Sequence, residues 1–463
     1  MNEKKLMVQK LAIDYNRNAP IGVVSTDPYN YLIYDTLFDD FRIITEIKQD
    51  WLLDLPLRGK IDWLGRRKQY GTNVSRIMRS KKFVDMFRAD RRRKFVMYSP
   101  MDPPYAINPL AYLMNSPTIA HAYENKRYFR DEFAELIRMP EYEICYMNEL
   151  DRAAAYKELR EKYGNFMLQD EESSGSKGTY AIKNADDYVA AIKSLKKFSR
   201  GRTIVVSKFI KGEAASIQVC ISKHGTFSGG VQKQLIDSKY LSNNKLEGAN
   251  KWCGGEVGVD YPDIVYHQTQ EMASVVGSEL ASHGYKGVFG LDLIITPEYE
   301  VYAIEINARL TGYSHIISDM QLQNGKIPFM LLHALELGNL EYKVTDPTAL
   351  PSSSLRYKKP VSLLVMNNPL DSDFVMPRYI KPGLYKQKGG KVEFVKPATG
   401  LGVLKGEDTM LIMSRHAEGD NVERGRRILK VVKYGKTMAR GGDLNAKARK
   451  TIKAVKQTFD LPD

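Results

Sequence analysis

Apolar and polar positions alternate most regularly between residues 287 and 307. Two apolar runs, 287–295 and 301–306, flank a turn at 297–300, the pattern of a β-hairpin. Centred between Glu298 and Tyr299, the hairpin sets Asp292 opposite Glu305, with Cβ atoms about 5 Å apart. Alternation predicts Leu291, Leu293, Ile295, Tyr302, Ile304 and Ile306 on a core face. Asp292, Glu305, Asn307 and Arg309 share the other. Elsewhere the pattern predicts strands at 21–24, 41–47, 95–98, 166–169, 179–182, 361–366, 391–395 and 409–413. A second hairpin joins 203–209 to 215–222 through Lys211-Gly212, and a polar Gly/Ser loop fills 170–178. Helical spacing predicts helices at 74–88, 125–137, 151–163, 185–198, 266–283, 325–338, 421–432 and 446–459.

This alternation of helices and strands predicts an α/β (α+β) chain in four parts. They are an N-terminal α/β unit over 1–115, a small lobe over 116–202, a large lobe over 203–345 and a C-terminal α/β piece with basic helices over 346–463. No Gly-x-Gly-x-x-Gly follows the first strand, so a dinucleotide site is not indicated.

Composition changes this picture little. Of 463 residues, 43% are hydrophobic and 27% charged, an ordinary globular balance. The polar N-terminus lacks the apolar core of a signal peptide, and no run is long enough to span a bilayer. Cys145, Cys220 and Cys253 are far apart, which argues against a disulfide framework or zinc site and for a reducing cytoplasm. The net charge of +14 gathers at Arg88, at Arg91 to Lys94, and along 424–456. Such fields suit nucleic acid, a membrane surface or acidic small molecules. No zinc-finger pattern or aromatic ribonucleoprotein motif accompanies them, so nucleic acid is the less favoured partner.

The chemistry concentrates in the hairpin. Two carboxylates, an amide oxygen and a guanidinium on one sheet face are suited to Mg²⁺ and phosphate, because hard cations take oxygen ligands. A Trp252-Cys253-Gly254-Gly255 stretch upstream reads best as a packed turn.

The order of these parts resembles an ATP-grasp enzyme, in the carboxylate–amine ligase and biotin-carboxylase-like branch. The elements that carry the resemblance are a helix opening on Asn125-Lys126, the Gly/Ser loop between strands, a strand leading to a hinge, and the acid hairpin with its Glu-x-Asn-x-Arg at 305–309. It covers roughly residues 115–345, with 1–115 as the Rossmann-like domain that precedes the grasp and the C-terminal piece compatible with it. The resemblance implies that Asp292, Glu305 and Asn307 bind one or two Mg²⁺ ions, with Mn²⁺ as a substitute. It places Arg309 and Lys126 at the phosphates as catalytic groups. It closes the loop Ser173-Ser174-Gly175-Ser176-Lys177-Gly178 over ATP, lets Ser207, Lys208, Phe209 and Ile210 read adenine, and gives Glu213 a ribose hydroxyl. Three positions depart from the pattern. Gln169 and Ser207 stand where Lys and Glu are usual, and Asp292 stands where Glu is common. Asp170, Glu171 and Glu172 repel phosphate unless they point away, and Lys177 is a candidate to compensate.

The activity so implied is ATP-dependent ligation of a carboxylate to an amine through an acyl-phosphate, with small-molecule or peptide substrates, ADP and phosphate as products, and a homodimer as a common arrangement among similar ligases. Two alternatives differ in class: a bicarbonate-using carboxylase-like enzyme, and a non-catalytic grasp-derived protein that binds nucleic acid or an acidic ligand.

Overall fold

In a computed structural model, the structure describes residues 8, 10–65, 74–102, 107–173, 178–199, 203–243, 251–351, 357 and 359–462. The first sheet is parallel, in the order Lys60–Gly65, Phe41–Ile47, Ile21–Val24, Lys94–Val96, Tyr112–Leu113. Ile21, Val23 and Val24 are buried, as in a strand covered on both faces. Strand order reverses between Ile21–Val24 and Lys94–Val96. The second sheet is a four-stranded antiparallel lobe, Tyr142–Cys145, Ile204–Lys208, Phe166–Asp170 and Thr179–Ile182. Helices Ala155–Tyr163 and Ala185–Phe198 supply Leu159, Tyr188, Ala191 and Leu195 to its core.

The third sheet has eleven antiparallel strands, one of which, Gly225–Ser228, pairs only with Glu213–Ser222 beside the main order. It runs from the edge strand Val301–Asn307 through Gly287–Ile295, Glu213–Ser222, Gln232–Ile236 and Trp252–Val257. It then continues into Val361–Asn367, Arg427–Tyr434, Thr409–Ser414, Gly383–Lys388 and Lys391–Lys396. One hydrogen-bonded sheet therefore joins the strands of the large lobe to those of the C-terminal piece. Helices Ser314–Gln323 and Phe329–Leu337 lie between it and the parallel sheet, where the Tyr34 hydroxyl donates to the Met330 carbonyl at 3.0 Å.

Several sequence expectations change. No hairpin joins 203–209 to 215–222: strand Ile204–Lys208 pairs with Tyr142–Cys145 and Phe166–Asp170 in the small-lobe sheet, and Glu213–Ser222 lies in the large one. The helix expected over 421–432 is instead Asn421–Val422 and the strand Arg427–Tyr434. Ile428, Val431 and Val432 are β-branched and buried between two neighbouring strands, and that packing overrides the helical spacing of the lysines. The helix expected over 74–88 breaks into Val74–Met78 and Lys81–Ala89, because the Ser80 side chain accepts from the Phe83 N–H and starts a new helix. The stretch from Trp252 to Gly255 is not a turn but part of a central strand. There Gly254 has φ +102, and a Cβ would stand 1.9 Å from the Leu363 carbonyl oxygen.

Gly254 thus lets the two halves of the large sheet approach. Gly254→Ala is expected to destabilise the protein by about 2–3 kcal/mol, the range for overpacking at a strained position. Gly402→Ala, with nothing within 4 Å of its added Cβ, serves as the control. Chemical denaturation of both variants checks this; equal midpoints would refute the account.

Candidate active site

The hairpin Gly287–Ile295/Val301–Asn307 sets Asp292 directly opposite Glu305, as expected, but by a different route. The turn is one position shorter than assumed, with Ile295 opposite Val301, and the backbone of Tyr299 is left-handed at φ +66. A bulge then leaves Ile304 as an extra residue between Ala303, opposite Leu293, and Glu305, opposite Asp292. The two offsets cancel at the acids. They do not cancel on the core face. Val301, Ala303 and Ile306 are buried in the core, whereas Tyr302 and Ile304, expected there, are only half-buried.

Around the acids the side chains form a closed network. Asp292 accepts from Gln234 Nε2 at 2.8 Å and from Asn307 Nδ2 at 2.9 Å. Asn307 Oδ1 accepts from Arg309 Nη1 at 2.5 Å, and the same nitrogen donates to Glu124 at 3.0 Å. Lys126, buried at the start of helix Lys126–Phe133, brings Nζ to 3.6 Å from Glu305 and 2.5 Å from the Ser173 carbonyl oxygen. Asn125 caps that helix by accepting from the N–H groups of Arg127 and Tyr128. After Arg309 the chain is pinned by Leu310 N–H donating to the Tyr98 carbonyl at 3.1 Å. Gln218 holds the next turn, donating to Thr311 and Ser314 at 2.6 Å each.

Burial, and then the facing Glu305, push the Asp292 carboxyl up to about 7, against the pull of its amide donors. Two carboxylates crowded in this way hold a proton or a cation between them. The donor set is oxygen only, two carboxylates and an amide, and fits a hard divalent cation such as Mg²⁺.

Gln169 reaches this network indirectly. Its Oε1 accepts from Arg130 Nη2 at 2.9 Å, while Arg130 Nη1 donates to the Lys126 carbonyl at 2.9 Å. Arg130 is 1% exposed. Burial lowers its pKa to about 10, and nearby Glu305 works to keep its charge. A cation therefore does stand at the end of strand Phe166–Asp170, supplied by the helix. Glu171 turns away from the site, accepting from Thr203 N and Oγ1 at 2.9 and 2.7 Å. Asp170 Oδ1 accepts from the Glu172 N–H at 3.1 Å. Gly178 closes the loop at φ +71, its carbonyl accepting from Asp170 N–H. Ser174, Gly175, Ser176 and Lys177 lie outside the described residues.

The hinge residues form a separate group. Ser207 is buried between Tyr142 and Met167, Lys208 pairs with Glu141 at 3.4 Å, and the Phe209 N–H donates to the Asn165 carbonyl. Ile210 is half-buried. Glu213 pairs with Lys233 and accepts from the Tyr261 hydroxyl at 3.3 Å. Arg130, Glu124 and Gln234 had no place in the sequence expectation. Only Arg130 carried a signal there, its i+4 spacing from Lys126 on one helix face.

Part of the basic surplus is internal. Arg93 is buried against Asp40, Asp90 and the Ile21 carbonyl, and Lys433 lies buried in the large sheet. Among the described residues no helix is long and apolar enough to cross a membrane.

Residues 123–313 match the family described as ATP-grasp domain, and the chain carries an ATP-grasp domain. A D-alanine–D-alanine ligase of Petrotoga mobilis is 27% identical over 143 residues, 31% of this chain. The match spans 45% of that relative's length. The fold extends further. The biotin carboxylase domain of Hydrogenobacter thermophilus 2-oxoglutarate carboxylase, solved with MgADP, ADP and bicarbonate, superposes with a TM-score of 0.58 at 11% identity. That likeness covers 90% of this chain and 86% of that one. Phosphoribosylamine–glycine ligase of Thermotoga maritima gives 0.56 at 13%, covering 90% and 92%. The multi-domain α/β arrangement is thus that of the biotin-carboxylase-like ATP-grasp fold.

Two outcomes follow. Asp292 has a raised folded-state pKa, so it contributes stability that is fully present below its ordinary value and lost as pH rises toward about 7. In metal-free protein, Asp292→Asn should therefore raise the urea midpoint clearly more at pH 8 than at pH 5; equal gains at both would remove the electrostatic explanation. Gln169→Leu takes from buried Arg130 its side-chain acceptor and should cost about 1–3 kcal/mol, the penalty for an unpaired buried polar group. Denaturation with and without Mg·ATP measures it.

Proposed function

We propose that this protein is an ATP-dependent carboxylate–amine ligase. The observation that carries the reading is the opposed pair Asp292/Glu305, with Lys126 and Arg309 converging on it. In the first half-reaction a substrate carboxylate oxygen attacks the γ-phosphorus of ATP, the bond to the β–γ bridging oxygen breaks, and ADP leaves. In the second an amine nitrogen attacks the acyl carbon of the acyl-phosphate, phosphate departs, and the amine proton passes to solvent or a base. Little covalent chemistry falls to the protein, so positioning and charge stabilisation do most of the work.

Arg309 is held by Glu124 and Asn307, so its guanidinium stays fixed as negative charge develops. Lys126 ties the entry of the Gly/Ser loop to the carboxylate pair through Ser173. Its ammonium is thereby placed between the groups that would hold the phosphates. Asp292, Glu305 and Asn307 would hold Mg²⁺, which neutralises phosphate oxygens when bound. The Gly/Ser loop, Ser174 to Gly178, would cover the nucleotide and exclude water from the acyl-phosphate. The adenine hinge we assign to Ser207 through Ile210, with Glu213 at the ribose.

The test is ADP and phosphate release from Mg·ATP, with and without pooled carboxylic acids and amino acids. ADP should form only with a substrate pool. Glu305→Ala should abolish it, and Arg309→Ala should lower kcat by about 100-fold, as for loss of one oriented transition-state donor. ADP formation that is independent of any pool, or that survives in Glu305→Ala, would overturn the ligase reading.

A further inference from the structure

Outside the carboxylate pair, the most unusual electrostatics lie where the large sheet meets the parallel one. Lys430, in the middle of Arg427–Tyr434, is 3% exposed. Its ammonium donates to Asn30 Oδ1 at 2.6 Å and lies 4.8 Å from the centroid of the Tyr29 ring. Neither partner is charged, and among the described residues no carboxylate lies within ion-pair distance. Arg415, half-buried, lines the same cleft and makes no hydrogen bond or ion pair among the described residues. Arg427, also lining it, pairs with Asp27. Three cations thus share one cleft with one matched acid. Asp319 is engaged with the Leu401 N–H at 2.6 Å; Asp420 and Glu423, whose field reaches Arg415, are engaged with the Ala417 N–H at 2.9 Å and with Arg426 at 3.0 Å. On the neighbouring first turn of helix Ser314–Gln323, His315 is 8% exposed and stacks edge-on against Tyr29 at 5.0 Å. Both its ring nitrogens are buried without a partner. Uncompensated buried charge is costly, and an anion in the cleft removes that cost; His315 lies across the Tyr29 ring from it.

The cleft belongs to the same working surface as the carboxylate pair. Opposed residues on paired strands share a face. The register runs Asp292, Ser216, Gln232, Val257, Val361, Tyr434. Lys430 precedes Tyr434 by four residues on one strand, so it faces the same side as Asp292. Both places also meet the carboxyl ends of the parallel strands at their order reversal, the usual ligand crevice of such sheets. Asp27 follows strand Ile21–Val24 and pairs with Arg427; Tyr98 follows strand Lys94–Val96 and holds Leu310, next to Arg309. About five strand spacings, ~24 Å along the sheet, separate the two.

We propose that Lys430, Arg427 and Arg415, with His315 beside them, bind an oxyanion, a phosphate or a carboxylate, carried by the ligase substrate at the end remote from its reacting group. The substrate is then larger than a single small amino acid and doubly functional: a reacting acid or amine at one end and an anion at the other. Assigning the anion to a substrate rests on the ligase reading above; the anion site itself does not. Burial, with Arg427 and Arg415 adding to it, draws the Lys430 pKa well down, and an arriving anion favours the charged form.

Calorimetric titration of the whole protein tests this, with a non-hydrolysable Mg·ATP analogue filling the nucleotide site. Inorganic phosphate is one arm and succinate the other; binding of one and not the other names the oxyanion. Wild type should bind at least one saturably. Lys430→Met, which keeps volume and removes charge, should weaken that binding at least tenfold with analogue binding unchanged. Arg415→Gln, on the half-buried rim, provides the same comparison should Lys430→Met fold poorly. No binding of either anion at millimolar concentration, or binding unaltered in both variants, overturns the site. Where an active substrate is in hand, Lys430→Met should raise KM tenfold or more with kcat nearly constant. An unchanged KM alongside lost anion binding overturns the substrate assignment and leaves the anion site standing. Failure of the analogue itself to bind counts against the ligase reading alone.

Discussion

Two like charges on facing strands organise this protein. Asp292 and Glu305 repel, and the fold holds them together by surrounding them with donors of graded strength. Neutral amides from Gln234 and Asn307 reach Asp292, an ammonium from Lys126 reaches toward Glu305, and the guanidinium of Arg130 adds its field from within the neighbouring helix. The donors come from three elements: a central strand, the edge strand, and one helix that supplies Lys126 at its start and Arg130 a turn further on. The carboxylate pair therefore ties the helix at the small lobe's entry to the large sheet. On the ligase reading, closing a nucleotide between the two lobes would be an electrostatic event as well as a steric one.

The hairpin shows how a correct conclusion emerges from two local errors. A turn one residue shorter than assumed shifts the register, and the bulge at Ile304 shifts it back before Glu305. Polar residues at 292, 305 and 307 were therefore readable as one constellation, because the bulge lies on the turn side of all three. Tyr302 and Ile304 sit on the wrong side of it, and their expected burial failed for that reason. A bulge has no reliable signature in a single sequence, since what fixes it is packing against the helices below.

Through-space partners were the other gap. Gln169 reads as a lost cation when the strand is considered alone. The structure returns the cation through Arg130, 39 positions away in sequence. The Lys and Arg run at 424–456 read as a solvated helical face because its charges are spaced like one. The β-branched residues among them pack into the centre of the sheet and carry Lys430 and Lys433 inside with them. Ile428, Val431 and Val432 carried a strand signal in that stretch, but the spacing of the charges outweighed it and a helix was expected. Its burial was not legible, because lysines rarely go inside.

Charge balance connects these observations. Around Asp292 and Glu305 the fold gathers acids and then supplies cations from neighbouring elements, until one further positive charge fits between them. Around Lys430, Arg427 and Arg415 it gathers cations and supplies a single paired acid, Asp27. The first place is suited to a metal and phosphates, the second to an anion. They face the same side of one sheet and meet the carboxyl ends of the same parallel strands. A molecule lying across that crevice with a reacting group at the first and an anion at the second satisfies both imbalances. Each imbalance is only partly met from within, and burial in each place limits what solvent can supply. Charge of both kinds is thus arranged for occupants that the fold itself does not contain.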